Sequence, residues 1–442
     1  MASAAEQLAA NINLSAFSKA TDLKRRIWFT LGALIVYRLG TYIPIPGIDP
    51  TIFQQAFNSQ AGGVLGMMNM FGGGALERMT IFALNIMPYI SASIIMQLMT
   101  AISPQIEALK KEGESGRKKI NQYTRYGTVI LAAVQAFGIA RGLEGAQGFG
   151  ASVINPGIFF ELTTVITLTG GTIFLMWLGE QITQRGIGNG ISLIIFSGIV
   201  AGLPSALAQT FTLSQSNGFV ALIIILVPLV IAGIVCFERA HRRLIVQYPK
   251  RQVGNKMFGG DSSHLPIKLN VSGVIPPIFA SSLLLMPISA AQFSAGSGPE
   301  WLTWVTANLG RGSLGYMLLF STLIAFFAFF YKSIVFNTED TADNLKKNGG
   351  FVPGIRPGKN TANHLDYIIN RLTIAGAAYL VAVCLLPEIL ISQYAVPFYF
   401  GGTSLLIVVS VTMDTVGQIH SHLVAHQYEG LIKKSKLKGR RG

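Results

Sequence analysis

The chain has 442 residues, of which 50% are hydrophobic and only 12% charged, and its formal net charge is +14. Soluble domains carry about 25% charged residues. This composition, with a mean hydropathy of +0.49, excludes an ordinary soluble domain and indicates an integral membrane protein.

Residues 1–26 are polar and end in Lys24-Arg25-Arg26. The apolar run after them lacks a small-residue cleavage site, so no cleavable signal peptide is expected. A membrane-crossing helix takes about 20 mostly apolar residues. Ten segments fit, at 27–43, 81–101, 126–142, 158–178, 187–208, 219–237, 271–291, 314–336, 372–390 and 398–420. The stretch MMNMFGGGALERMT, Met67 to Thr80, stands directly before the second of them. It is too apolar for a surface loop, and too short and glycine-rich to cross a bilayer. The fifth segment opens on RGIGNGIS after a very short turn. The 48 glycines suit close helix packing and broken helices. Cys236 and Cys384 both fall in apolar runs and read as reduced core thiols.

The basic residues give the direction of threading. With the N-terminus in the cytoplasm, all of the 34 Lys and Arg except Arg38, Arg78, Arg141, Arg311 and Lys332 fall on cytoplasmic stretches, and Lys332 lies near a cytoplasmic helix end. That asymmetry is the positive-inside pattern. Both termini are therefore expected in the cytoplasm, and the positive charge reads as a topology signal. Five spans lie on each side of the loop at 209–218, so two halves of like fold would be inverted relative to each other. The expected fold class is an all-α integral membrane protein of ten transmembrane helices in two inverted five-helix halves, 1–208 and 219–442. Inverted halves place the functional path between them, near the midplane.

The chemistry of the spans is notable for what is missing. Transporters and proton pumps carry ionisable groups inside the membrane. Here the main exceptions are Arg38, read as mid-span in ALIVYRLGTYIPIPG, and Asp414 toward the cytoplasmic end of the last span. Arg38 reads as structural, by snorkelling or by capping a partner helix. IHSHLVAH brings His420, His422 and His426 close in sequence, but no carboxylate or cysteine complements them as metal ligands. No Walker, HExxH or GxSxG motif occurs, so no metal, cofactor or catalytic residue is expected and driving energy must come from outside the chain. The spans do carry isoleucines beside Gly, Pro and Asn: Ile86 and Ile90 in NIMPYI, Ile191 and Ile195 in GISLII, and Ile278 in VIPPI. Each is consistent with ordinary packing of kinked helices. Together they are also consistent with an apolar ring that closes a pore by dewetting.

Longer motifs narrow the choice. YIPIPGID, NMFGGGAL, IMPYISASI, KKEGESGRKKINQYTRYGT and GEQITQRGIGNGISLIIF lie in the first half. HLPIKLNVSGVIPPIFASS, TADNLKKNGGFVPGIRPG and VPFYFGGTSLLIVV lie in the second. In order and spacing, from about residue 20 to 440, the chain resembles the SecY/Sec61-alpha family, the channel-forming subunits of Sec protein translocons, and above all its Gram-negative bacterial members.

The resemblance implies a clamshell of two halves hinged at 209–218, an hourglass pore and a lateral gate between the second and third spans and the seventh and eighth. It implies a pore ring of Ile86, Ile90, Ile191, Ile195, Ile278 and Ile407, the last supplied by the resemblance alone. It implies that a half-helix at about 66–79 plugs the pore, with Met67, Met68, Asn69, Met70, Phe71, Gly72, Gly73 and Gly74 at its heart. The triple glycine would be a flexible joint. The methionines and Phe71 would be soft apolar contacts, so plug docking is expected to be apolar and weak. It implies that the basic cytoplasmic loops 238–270 and 337–371 dock the SecA motor and the ribosome through Arg242, Arg243, Lys250, Arg251, Lys256, Lys346, Lys347 and Arg356. Relatives often carry Arg where Asn255 stands, which leaves that loop-tip contact open. Further implied partners are SecE and SecG, signal peptides and preproteins, membrane lipid, SecDF and YidC, in the bacterial inner membrane. A ten-span secondary transporter is the alternative from another class, and it lacks the midplane ionisable groups such a protein uses. An intramembrane enzyme lacks a catalytic constellation.

Overall fold

The structure is a computed structural model and describes residues 20–60, 66, 69, 71–145, 149–213, 217–248, 251–253, 256–258, 262–293, 313–394 and 402–438. The helices are α1 (Thr21–Gly40), α2 (Pro50–Gln60), α3 (Met87–Ile102), α4 (Pro104–Lys111), α5 (Glu114–Gly145), α6 (Ile158–Arg185), α7 (Gly190–Leu213) and α8 (Asn217–Arg239). Four strands follow, β1 (His241–Gln247), β2 (Arg251–Val253), β3 (Lys256–Phe258) and β4 (Ser262–Lys268). Then come α9 (Ile275–Phe293), α10 (Leu314–Val335), α11 (Thr338–Lys347), α12 (Lys359–Tyr394) and α13 (Gly402–Lys438). Leaving aside α2, α4 and α11, one helix occupies each of the ten apolar segments.

Among the described residues five helical stretches are long and apolar enough to cross a membrane: Glu114–Gly145, Ile158–Arg185, Leu314–Lys347, Lys359–Ile389 and Gly402–Ala425. Met87–Ile102, Gly190–Pro204 and Ile275–Leu284 are shorter apolar helices. The chain is a multi-pass, all-α membrane protein. It divides into two compact units, one of Met1–Ser205, Pro287–Thr306 and Val411–Gly442, the other of Ala206–Met286 and Ala307–Ser410. The stretch expected as a loop at 209–218 is helical through Leu213 and again from Asn217. Cys384 is buried but Cys236 is exposed on α8, so only the former is a core thiol.

In the first unit α5 packs against both α3 and α6. Ala132 and Ala136, fully buried one turn apart, give α5 the smooth surface that close packing requires. Ile45, Phe53, Leu76, Leu143, Phe149 and Phe160 belong to one core cluster. Asp49 caps α2: its Oδ1 accepts the Thr51 N–H at 2.9 Å and the Thr51 hydroxyl at 2.6 Å. These bonds, the hydroxyl first, hold its carboxyl below the usual aspartate range. The turn between α6 and α7 is braced from two sides. The Ile187 N–H donates to Thr30 Oγ1 of α1 at 3.0 Å, and the Gly188 N–H donates to Gln418 Oε1 of α13 at 2.8 Å.

The second span departs from expectation. Its apolar run starts at Ile81, yet α3 starts only at Met87. Met79 and Asn85 sit at φ +43° and +51°, a left-handed conformation that breaks a helix. Pro88 then occupies the first turn of α3, where its missing N–H costs nothing. Before the break the chain pairs backward instead. The Ile45 N–H donates to the Met79 carbonyl and the Ile81 N–H to the Ile43 carbonyl, each at 3.0 Å.

In the second unit the loop 238–270 is a β-hairpin. β1 pairs antiparallel with β4 from His241↔Lys268 to Gln247↔Ser262, and β2 pairs with β3 from Arg251↔Phe258 to Val253↔Lys256. Alternation explains it: Val246 and Ile267 are buried while Arg243, Ile245 and Lys268 point outward. Ile267 joins Leu365, Ile368, Ile369 and Leu372 of α12 in a second core cluster, which seats the hairpin. Lys332, near the end of α10, is buried and paired. Its Nζ donates to Asp366 Oδ1 at 2.6 Å and to Asn370 Oδ1 at 2.7 Å, and Asn370 Nδ2 donates back to Asp366 Oδ2 at 3.0 Å.

Candidate functional site

The segment expected to be a plug is described at residue 66, at Asn69 and from Phe71 onward; Met67, Met68 and Met70 lie outside the described residues. Asn69 is clasped to Glu77: its Nδ2 donates to Glu77 Oε2 at 3.1 Å and its Oδ1 accepts the Glu77 N–H at 2.9 Å. Gln54 of α2 donates to the other Glu77 oxygen at 2.8 Å. Phe71, Gly72 and Gly73 are buried, with Gly73 at φ +61° and Gly74 at +86°. Those two dihedrals are ones that glycine adopts freely.

Three successive carbonyls of this segment each accept a side-chain hydrogen bond. Asn85 Nδ2 donates to the Phe71 carbonyl at 2.7 Å. The Tyr37 hydroxyl donates to the Gly72 carbonyl at 3.3 Å. Arg38 Nη1 donates to the Gly73 carbonyl at 3.0 Å. On another side the backbone of Gly198 on α7 comes so near that a Cβ there would run into the Phe71 carbonyl. A Cβ on Gly73 would lie 2.6 Å from Arg38 Nη1 and 2.9 Å from Gly198 Cα. Polar side chains thus grip the main chain here, beside the apolar contacts expected of Met67, Met68, Met70 and Phe71, of which Phe71 is described and is buried. Arg38 sits in the last turn of α1 rather than mid-helix, and its guanidinium donates to the carbonyl that directly follows the helical residues Phe71 and Gly72, the position of a C-terminal cap. Beside it, the Arg78 guanidinium stacks over the Tyr42 ring at 4.2 Å.

The isoleucines fall on helix starts. Ile86 is the residue before α3 and Ile90 is one turn on; Ile191 and Ile195 have the same spacing at the start of α7. Ile86, Ile90 and Ile195 are buried and Ile191 is half-buried. All four belong to the first unit, whereas Ile278, half-buried in the first turn of α9, and buried Ile407 on α13 belong to the second. Asp414 is exposed.

The two basic loops form one platform. Gln247 at the end of β1 and Phe351 exchange both backbone hydrogen bonds at 2.9 Å. Gly350 lies against Tyr248 and Val246, and Val352 is buried. Arg242, Arg243, Lys346, Lys347 and Arg356 are all exposed. Arg356 stands between Gly354 at φ +80° and Gly358 at φ +104°, and its carbonyl accepts the Thr361 hydroxyl at 3.0 Å. On β2 and β3 Arg251 pairs with Phe258 and Lys256 with Val253, while Lys250 and Asn255 lie outside the described residues. Sequence reasoning missed Tyr37, Asn85, Gly198 and the Gln247–Phe351 link. Asn85, three residues before a proline, was the one local signal.

Comparison with known proteins is decisive about kinship. The SecY family model matches residues 80–416. The chain is 53% identical over 423 residues to "Protein translocase subunit SecY" of Escherichia coli K12, covering 95% of this chain and 96% of that one. It is 55% identical over 429 residues to the protein of the same name from Rickettsia typhi, covering 96% and 99%. The fold matches the solved structure described as "The structure of a protein conducting channel" with a TM-score of 0.60 at 19% identity, covering 91% of this chain and 93% of that one. It matches Sec61 in the canine ribosome-channel complex with a TM-score of 0.58 at 18% identity, over 91% and 93%. With a family model spanning most of its length and relatives more than half identical end to end, the chain belongs to the SecY family.

Proposed function

We propose that this chain is the channel-forming subunit of a bacterial Sec translocase. It passes unfolded preproteins across the inner membrane and releases membrane proteins sideways into lipid. The observation that carries this reading is the broken second span. The second apolar run is not helical from Ile81 to Asn85, and the short segment before it, Phe71 to Gly73, is held by α1, α7 and Asn85. Full-length identity to chains named protein translocase subunits supports it.

In this reading 66–79 is the plug, and Ile86, Ile90, Ile191, Ile195, Ile278 and Ile407 form the constriction. Branched apolar side chains make a passage that a hydrated ion enters at high cost, while offering a moving peptide no fixed hydrogen bonds. The stretch about 209–218 is the hinge of the two halves. The basic platform is the docking face for SecA and the ribosome, with Arg356 at a rigid point framed by glycines. SecE and SecG complete the complex, with SecDF and YidC as accessory partners, and both termini lie in the cytoplasm, as the basic residues require. Reconstituted proteoliposomes test the reading. Export of a signal-peptide-bearing preprotein on addition of SecA and ATP is expected; solute uptake without them, and no export, would reject it in favour of a transporter.

A further inference from the structure

We propose that Tyr37, Arg38 and Asn85 act together as a latch that sets how readily the plug leaves its seat. The inference rests on the reading of 66–79 as the plug of a gated channel. Its own basis is the run of three consecutive carbonyls, Phe71, Gly72 and Gly73, each accepting one side-chain hydrogen bond. The donors come from two places in the chain. Tyr37 and Arg38 are adjacent in the last turn of α1, and Asn85 is in the break before α3.

Ordinary packing does not account for this arrangement. Tyr37 is fully buried, and its hydroxyl is spent on a loop carbonyl 35 residues away. Asn85 is buried at φ +51°, a conformation rarely adopted outside glycine and asparagine, and it is oriented so that its amide reaches Phe71 while its Oδ1 has no partner. That orphaned oxygen costs stability, which the retained amide contact offsets. Arg38 contributes a charge-assisted bond, stronger than a neutral one. Gly73 and Gly198 let the two backbones meet, so the carbonyls stay within reach of all three donors.

A latch of this kind has a distinct logic. The donors bind main-chain oxygens, so release breaks three polar contacts at once. Entering water can replace them, which makes the seat stable when dry and quick to let go when a ligand wets it. A neutral hydrogen bond contributes about fivefold to such an equilibrium and a charged one tenfold or more. The latch therefore tunes the closed state over about two orders of magnitude without any change in the pore isoleucines.

The test uses the full chain, purified with its accessory subunits and reconstituted, with Cys236 and Cys384 replaced by Ala and a Phe71→Cys reporter. The reporter keeps the Phe71 carbonyl. Reaction of this thiol with a membrane-impermeant maleimide reads how often the segment leaves its seat, and resting conductance in planar bilayers reads the seal. Tyr37→Phe and Asn85→Gly, which keeps the left-handed backbone, are each expected to speed labelling about fivefold, and Arg38→Met, which keeps an apolar stem but no donor, tenfold or more. Arg38→Lys, which still donates, should recover part of the loss. Gly198→Ala, whose Cβ meets the Phe71 carbonyl, is the positive control for an unseated segment. Labelling and conductance within twofold of the parent in all three variants, with Gly198→Ala responding, would overturn the latch and leave the channel reading standing. Faster labelling of the three variants together with a parent that exports no preprotein would show that the three bonds hold the segment while rejecting the channel reading, and with it the segment's role as a plug.

Discussion

Lys332 offers a test in which two halves of one contact should respond unequally. Its side chain is 10% exposed, whereas that of Asp366 is 47% exposed. Asp366→Ala leaves a buried ammonium with only Asn370 Oδ1, at 2.7 Å, to hold it. Removing one partner of a fully buried pair costs about 3–5 kcal/mol. Because Lys332 lies at a helix end, where a long stem can carry its head toward water, the expected cost falls to about 2–3 kcal/mol. Lys332→Met keeps the apolar stem and leaves Asp366 facing water and the Asn370 amide, so it should cost about 1 kcal/mol or less. The double variant Lys332→Met/Asp366→Ala removes both charges and should match Lys332→Met within about 0.5 kcal/mol. For a cooperative unit of about 200 residues each kcal/mol moves the melting midpoint by about 2–4 °C. Thermal unfolding of the detergent-purified complex, followed by size-exclusion of the surviving fraction, should therefore rank Asp366→Ala well below the other two. Equal losses for both single variants, or a double variant worse than Asp366→Ala, would show that the buried charge is not what α10 and α12 are stabilised against.

Deleting Met67 to Gly74 should leave export working and raise resting ion leak, measured as single-channel conductance in planar bilayers. Replacing Ile90 or Ile195 with Ser should also raise leak and relax the demand for an intact signal sequence, since both side chains are buried and proposed for the constriction; a channel as tight as the parent in every case places the seal elsewhere. Arg356→Glu should cut SecA-driven export at normal membrane abundance, because charge reversal at this exposed, proposed docking point would set like charge against an acidic partner. Asp49, whose carboxyl is held low, stabilises α2 above the ordinary aspartate range and loses that contribution as pH falls through its lowered value. The protection of the α2 amides, after correction for the intrinsic pH dependence of exchange, should accordingly fall toward acid pH in the parent and vary little with pH in Asp49→Ala.

The helix in each of the ten apolar segments was legible because long apolar runs favour a hydrogen-bonded helix whatever the tertiary contacts. The start of α3 was not, since IFALNIMPYI is apolar throughout and hydropathy does not register a left-handed residue. Asn85 followed by Pro88 held the signal in local backbone terms. The hairpin was partly legible: HLPIK sets Leu265 and Ile267 two apart, but HRRLIVQ runs its apolar residues together, and the basic residues favoured a reading as plain loop. Arg38 stood out as an ionisable group in an apolar helix, yet its acceptor lies 35 residues away on a glycine carbonyl, and no side chain marks a carbonyl in sequence. The same holds for Gly198, whose role is to be absent where another backbone passes.

The bond pair between Gln247 and Phe351 makes one lever of two loops that are about a hundred residues apart in sequence. A partner that grips either loop pulls on both. The pull reaches α12 by two routes, through the hairpin seated on Ile368 and Leu372 and through the chain running from Phe351 into Lys359. Force applied at one exposed arginine is thus divided between anchors instead of peeling a single strand. Under repeated strokes from a partner such a handle would not fray, and a residue inserted in one loop would shift the register at which the other is held.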